Sequence, residues 1–144
     1  MENKEEKALS RGLRNANPGN IRISATKYMG EIQPSQDKAF KQFSSMAWGY
    51  RAMFVLLYTY QVKNRLNTLR GMINRYAPPV ENNTNGYISR VAREADIDAD
   101  ATIDALDGAV MRPVVAAMSA VENGVPAVLS DVWAGWDLFL QHKP

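Results

Sequence analysis

Apolar side chains at helical spacing recur through most of the chain after residue 44, and they restrict what it can fold into. Apolar residues three and four positions apart lie on one face of a helix, which is then buried against the core. The first such segment predicts a helix over 46–63, capped by Ser44 or Ser45. Its buried face carries Met53, Leu56, Leu57 and Tyr60.

Two further helices are predicted between residues 67 and 95. The second begins at Asn67 or Thr68 and ends before Pro78-Pro79, because proline cannot donate a helical hydrogen bond. The third follows the capping region Glu-Asn-Asn-Thr at 81–84. The second helix would bury Leu69, Met72, Ile73 and Tyr76, and the third would bury Tyr87, Ile88 and Val91.

The C-terminal third predicts two more helices after an acidic loop. Segment 96–107 begins Asp-x-Asp-x-Asp but lacks the glycine and final glutamate of a calcium-binding EF-hand, so we expect a solvated loop with a short helical turn. Pro113 suits a first helical turn, Gly124 suits a C-cap, and Ser130 suits the cap of the last helix. The expected apolar faces are Val114, Val115, Met118 and Val121, then Val132, Trp133, Trp136 and Leu140.

The segment before these helices predicts a small β lobe. A turn-rich cluster at 15–20 precedes short alternating stretches at 20–23 and 39–43, with a bend at Gly30 and Pro34 between them. Residues 1–10 are polar and predict a flexible arm. The predicted architecture is a single, mainly helical domain over 11–144 with a small β-hairpin lobe.

Composition limits the chemistry available to this domain. The 144 residues include no cysteine and one histidine, His142, which excludes thiolate metal sites and disfavours histidine-based zinc sites and catalytic triads. If the protein is an enzyme, carboxylates must carry out its proton transfers, and no metal or organic cofactor is expected. A net charge of +2 with no concentrated basic helix argues against a nucleic-acid partner.

The chain shows no signal for export or for crossing a membrane. Its N-terminus is charged, unlike a secretory signal, and no apolar run approaches the ~20 residues that span a bilayer. We therefore expect no membrane partner, and a protein that is cytoplasmic in the producing cell or associated with a virion.

Glu122 is the most informative carboxylate in the sequence. It follows Met118 by four residues and Val115 by seven, which places it on or beside the buried face of its helix. Partial burial and the negative end of the helix dipole would both raise its pKa. A carboxylic acid protonated near neutral pH can donate a proton to a glycosidic oxygen. The alternative is a solvated glutamate at a helix end.

Two further glutamates are candidates for a second catalytic carboxylate. Glu81 follows the double proline and can line a sugar cleft or help to cap the next helix. Glu31 lies at the predicted hairpin bend and is either solvated or directed at a substrate.

Side chains that hydrogen-bond or stack on sugars form the third group of candidates. Asparagines at 15–20 can bind hydroxyl and N-acetyl groups, or can serve only the turn that contains them. Most aromatic residues lie at helical spacing and are expected in the core, with Tyr87 the exception. The candidate substrate-binding residues are Asn15, Asn17, Asn20, Asn82, Thr84 and Tyr87.

A series of short motifs is spread over roughly residues 11–126. The motifs are Arg-Gly-Leu-Arg-Asn-Ala-Asn-Pro-Gly-Asn-Ile-Arg at 11–22, Phe40 and Phe43, Gly-Tyr-Arg-Ala at 49–52, Leu-Asn-Thr-Leu at 66–69, Ile-Asn-Arg-Tyr-Ala-Pro-Pro at 73–79, Glu-Asn-Asn-Thr at 81–84, Tyr87-Ile88 and Glu-Asn-Gly at 122–124. With these motifs the sequence resembles a family of phage and prophage virion proteins with lysozyme-like domains, and it looks like prophage proteins of Bacteroides type.

In lysozyme-like transglycosylases and glucosaminidases, the catalytic glutamate ends a helix that precedes the β lobe. Here no such helix precedes residue 11, and the helix that ends in glutamate at Glu122 comes late. We therefore hypothesise a circular permutation, in which the late helix lies beside the β lobe.

The resemblance implies a peptidoglycan-cleaving glycosidase, either a lysozyme or a lytic transglycosylase, with Glu122 as general acid. Glu31 or Glu81 would activate water in a hydrolase, whereas a transglycosylase needs only one glutamate. The alternative is a non-catalytic phage structural or cell-wall-binding protein with the same fold. The expected partners are peptidoglycan or a related glycan and other virion proteins.

Overall fold

A computed structural model describes residues 9–144 and confirms a mainly helical chain with a small β lobe. Most of the predicted flexible arm, residues 1–8, lies outside the described residues, and Ser10 caps the first helix by accepting from the Leu13 N–H. The elements are α1 (Arg11–Arg14), β1 (Glu31–Ile32), β2 (Gln42–Phe43), α2 (Met46–Asn64), α3 (Leu69–Tyr76), α4 (Thr84–Ala95), α5 (Gly108–Asn123) and α6 (Leu129–Gln141).

Capping side chains set most helix boundaries where the sequence predicts them. Ser45 and Thr68 accept hydrogen bonds from the backbone N–H groups of Trp48 and Gly71, which settles the two open alternatives. Gly124 ends α5 with a φ of 73°, a left-handed conformation that glycine adopts without strain.

Two predicted helix starts are wrong. Helix α5 begins at Gly108, five residues before Pro113, because the Asp107 side chain caps it and Met111 is buried in the core. Pro113 therefore lies inside the helix on its exposed side, at the cost of one backbone hydrogen bond. Ser130 lies in the first turn of α6, whose N-cap Val128 makes no side-chain hydrogen bond.

Helix α2 is the centre of the fold, and α6 packs along it. Gly135 permits the close approach, since a Cβ atom there would lie 2.5 Å from the Cβ of Tyr50. Beside this crossing, Phe54 meets Trp136 edge-on at 4.9 Å between ring centroids, and Trp136 meets Phe139 at 5.1 Å. These aromatic contacts form the core between α2 and α6.

The predicted apolar face of α6 is only partly buried. Val132 and Trp136 lie in the core, as expected, and Phe139 joins them. Trp133 and Leu140 were expected there as well, but they remain 50% and 47% exposed, because α2 covers only one side of the apolar stripe.

The β lobe is smaller than predicted, and its strands pair differently. β1 pairs antiparallel with β2, with Glu31 opposite Phe43. Segment 20–23 contributes a single bridge, between Arg22 and Phe40, instead of a strand. Lys41 fixes the 24–31 loop within the lobe, because its buried ammonium group donates to the Glu31 carboxylate at 3.1 Å and to the Thr26 carbonyl at 2.8 Å.

Segment 96–107 forms loops and turns, as expected, and Thr102 bridges to Thr68 at the start of α3. Within residues 9–144, each helix is too short or too polar to cross a bilayer.

Candidate active site

The candidate site begins with a tight turn that connects α1 to the β lobe. Asn17 is fully buried at its centre. Its amide donates to the carbonyls of Ile21 and Lys41 at 3.0 and 2.9 Å, and its carbonyl accepts from the Ile21 N–H. Asn15 is also buried and donates to Asp37 at 3.0 Å. Both asparagines therefore build the turn, and neither presents its amide to a cleft.

Asn20, the last residue of this turn, reaches the predicted acid. It adopts a φ of 49°, a left-handed conformation that asparagine tolerates. Its side-chain amide donates to Oε1 of Glu122 at 2.9 Å, although the two residues are 102 positions apart. The hydroxyl of Tyr87 on α4 donates to Oε2 of Glu122 at 3.0 Å. The carboxyl group is thus held from both sides at the end of α5.

Asn123 fixes the end of α5 against the same turn. Its amide donates to the carbonyls of Pro18 and Ser119 at 2.8 and 2.9 Å, and its carbonyl accepts from the Ser10 hydroxyl at 2.6 Å. The Tyr76 hydroxyl adds a hydrogen bond to the Gly19 carbonyl. Sequence reasoning missed both Asn123 and Tyr76, and the only local signal for Asn123 was its place in the Glu-Asn-Gly motif.

The environment of Glu122 favours its protonated form. Burial raises its pKa, and this effect outweighs the hydrogen bonds from Asn20 and Tyr87, which lower it. Burial and the nearby Glu122 carboxyl also raise the pKa of Tyr87 far above its ordinary value, so Tyr87 remains a neutral donor.

The raised pKa of Glu122 makes stability depend on pH. Ionisation of Glu122 is harder in the folded state than in the unfolded state. The folded state should therefore become less stable as the pH rises from the ordinary glutamate pKa through the raised one. We expect the free energy of unfolding of wild type, relative to Glu122→Gln, to fall over this window. Urea titrations of both proteins at a series of pH values measure the difference, and a pH-independent difference would contradict the raised pKa.

Tyr87→Phe should shift the same titration further. Loss of the hydroxyl removes a hydrogen bond that favours the ionised carboxylate, so we expect the pKa of Glu122 to rise above its wild-type value. NMR titration of the Glu122 side-chain carboxyl carbon measures this shift directly. Tyr58→Phe is the control, because Tyr58 packs against Phe139 at 5.8 Å and not against Glu122. An equal shift in both variants would contradict a direct effect of Tyr87.

Glu122 lies where two clefts meet. One cleft has a volume of about 310 Å³ and the other about 420 Å³, and both are lined by Asn82 and Glu122. Because the two clefts share these lining residues, we refer to them together as the Glu122 groove. The first half is also lined by Gly19, Asn20, Ile21, Arg22, Phe40, Leu56, Tyr60, Tyr76, Ala77 and Glu81, and the second by Asn83, Gly86, Tyr87, Arg90 and Val121.

The two candidate second carboxylates lie in different places. Glu81 lines the Glu122 groove, where its side chain is 57% exposed and 3.5 Å from Arg22. Glu31 does not line it and is buried against Lys41 in the β lobe. Burial alone would raise the pKa of Glu31, but hydrogen bonds from Gln33, the Tyr28 N–H and Lys41 hold it below its ordinary value.

The remaining candidates divide between the groove and its support. Asn82 lines both halves of the groove and donates to the Pro78 carbonyl at 3.1 Å. Thr84 is buried and donates to the Ala77 carbonyl, so it holds the segment that leads into α4. Tyr87 is buried as well and exposes little ring surface for stacking on a sugar. Within residues 9–144, no cluster of three or more metal-binding side chains occurs.

The chain is similar to Protein P5 of Pseudoalteromonas phage PM2. The two are 36% identical over 118 residues, which make up 80% of this chain and 72% of that protein. No protein-family model matches the chain. The similarity confirms the predicted relation to phage proteins. The lysozyme-like part of the resemblance stays a prediction.

Proposed function

For a chain that belongs to the family of Protein P5 from Pseudoalteromonas phage PM2, we propose cleavage of the glycan strands of peptidoglycan, with Glu122 as general acid. The observation that carries the proposal is the position of Glu122. Its carboxyl group is half-buried at a helix end, its pKa is raised, and it lies at the junction of two clefts.

The groove suits a carbohydrate chain in its length and in its chemistry. A polymer can extend through both halves, so that the bond next to Glu122 lies between two bound segments. Asn82 and Asn83 line the groove with side-chain amides, a group that pairs with sugar hydroxyl and N-acetyl groups. Protonated Glu122 would donate its proton to the glycosidic oxygen as the bond breaks.

The carboxylates of the groove favour a lytic transglycosylase over a hydrolase. Among the described residues that line it, Glu81 is the one acidic side chain besides Glu122, and it is exposed beside Arg22. In a transglycosylase no second carboxylate is needed. Glu122 protonates the leaving oxygen, and its carboxylate then accepts the proton of the substrate's own C6 hydroxyl, which closes a 1,6-anhydro ring.

The placement of α5 supports the proposed lysozyme-like arrangement with a permuted order. In the described chain the helix that carries Glu122 comes after the β lobe, yet its end is hydrogen-bonded to the turn that leads into that lobe. A catalytic helix beside the β lobe is the arrangement that a circular permutation of a lysozyme-like domain would give.

The test is digestion of purified peptidoglycan, followed by mass spectrometry of the released fragments. We expect soluble fragments that end in 1,6-anhydro sugars. Fragments with ordinary reducing ends would show that the enzyme is a hydrolase and not a transglycosylase. Binding to peptidoglycan without any released fragment would reject the enzyme and favour the alternative, a wall-binding or structural phage protein.

A further inference from the structure

Arg22 lines the half of the Glu122 groove that also contains Asn20. The backbone on both sides of Arg22 is hydrogen-bonded to segment 39–41 at 2.9 Å, so that Arg22 lies opposite Phe40 in an antiparallel bridge. Arg22 follows Asn20, which holds Glu122, by two residues, and so by at most about 7 Å of backbone. Arg22 therefore has a fixed place on the groove wall, close to the bond that Glu122 would break.

The side chain of Arg22 is held at the groove by an aromatic ring. Its guanidinium group lies over Phe40, 5.4 Å from the ring centroid, and Phe40 lines the same half of the groove. The Arg22 side chain is nevertheless 65% exposed. A guanidinium presents its N–H groups as a planar fork, which can donate to both oxygens of one carboxylate. The side chain is thus positioned to bind a planar anion.

Arg22 is less strongly paired than the other arginine that lines the groove. Arg90, in the second half, donates to Glu94 at 2.6 Å, so its charge is already balanced. Arg22 faces Glu81 at 3.5 Å, which is longer than an ordinary N–H to oxygen hydrogen bond, and the Glu81 side chain is 57% exposed. Ion pairs that are this exposed contribute little free energy, so a ligand carboxylate can take the place of Glu81.

We propose that Arg22 forms a carboxylate-binding subsite, by which the groove selects glycan strands that carry acidic peptides over neutral strands of the same sugars. The inference rests on the proposed function and names the part of peptidoglycan that is recognised. Alternate sugars of peptidoglycan bear short peptides with free carboxylates. When a glycosidic oxygen lies at Glu122, a peptide on an adjoining sugar reaches Arg22 and accepts charge-assisted hydrogen bonds from it.

Isothermal titration calorimetry with two matched ligands tests the subsite. The first ligand is a tetrasaccharide fragment of peptidoglycan with its peptides intact, and the second is the same fragment with its carboxylates converted to amides. Every protein carries Glu122→Gln, so that the ligand is not cleaved. We expect the acidic fragment to bind about tenfold more tightly than the amidated one, as a hydrogen bond to a charged group provides. Adding Arg22→Gln should abolish this difference and leave the affinity for the amidated fragment unchanged.

Arg93→Gln is the matched control for the loss of one positive charge. Arg93 is exposed on α4 and does not line the groove, so this variant should keep the preference for the acidic fragment. Circular dichroism of each variant, including its thermal transition, confirms that the comparison is between folded proteins.

Equal affinity of the Glu122→Gln protein for the two fragments would overturn the inference, as would a preference that survives Arg22→Gln. Either result leaves the proposed function standing, because the glycan still binds. Failure to bind both fragments, together with failure of wild type to release fragments from peptidoglycan, would overturn the proposed function and the inference together.

Discussion

Glu122→Gln is expected to slow release of peptidoglycan fragments by about 10²- to 10⁴-fold, the usual contribution of a general acid. Glutamine keeps the size of the side chain and an oxygen that can accept from Asn20, but it has no acidic proton to donate. The loss should therefore appear in the rate of bond cleavage and not in binding. Turbidity loss of a peptidoglycan suspension measures the rate, and a pull-down with insoluble peptidoglycan measures binding.

Glu81→Gln is the matched control for this experiment, because Glu81 lines the same groove. We expect it to keep most of the wild-type rate, as a single-acid mechanism requires. Equal rates for wild type and Glu122→Gln would remove Glu122 from the chemistry. A loss of similar size in both variants would indicate two cooperating carboxylates. In that case, a distance of about 5–5.5 Å between the two carboxyl groups would favour retention of configuration at the sugar, and about 6.5–9.5 Å would favour inversion.

Lys41→Met is expected to lower the free energy of unfolding by about 3–5 kcal/mol, the usual cost of removing one partner from a buried ion pair. Lys41 is fully buried and the Glu31 side chain is only 6% exposed, so the remaining carboxylate would have neither a counterion nor much water. Two loop carbonyls, of Ser24 and Thr26, would lose their donor as well. Urea denaturation followed by circular dichroism measures the change.

The double variant Lys41→Met with Glu31→Gln separates the ion pair from simple loss of packing. If an unpaired carboxylate causes most of the damage, neutralising it should make the double variant more stable than Lys41→Met alone. A double variant that is less stable, by the sum of the two single effects, would show that the two side chains act independently. Denaturation curves of wild type, Glu31→Gln, Lys41→Met and the double variant distinguish the two outcomes.

Local chemistry explains why most helices were predictable. Ser45, Thr68 and Gly124 act through the backbone groups of their own helix ends, so their roles are visible in a few neighbouring residues. The start of α5 was mispredicted because proline at a first turn is a weaker signal than the cap at Asp107 and the burial of Met111. Periodicity placed Trp133 and Leu140 on an apolar face, but it cannot tell which part of a face a neighbouring helix covers.

The site was predictable only in part, because its contacts join distant segments. The spacing that placed Glu122 beside the buried face of its helix gave the correct direction for its pKa. Its two hydrogen-bond donors, Asn20 and Tyr87, were both named as candidates, but for contact with a sugar instead of with Glu122. The turn role of Asn17 was one of the two alternatives that the sequence left open, whereas the role of Asn123 depends on tertiary packing that no local pattern reports.

The hydrogen bonds that hold Glu122 and Asn123 have a consequence for the order in which the molecule assembles. They join residues 102 and 113 positions apart, whereas α3, α4 and their connecting loop pack with near neighbours in the chain. Contacts between distant segments require closure of a long loop, so they form after local ones. During synthesis the groove stays incomplete until all of α5 has left the ribosome, because Glu122 and Asn123 lie in its last turn.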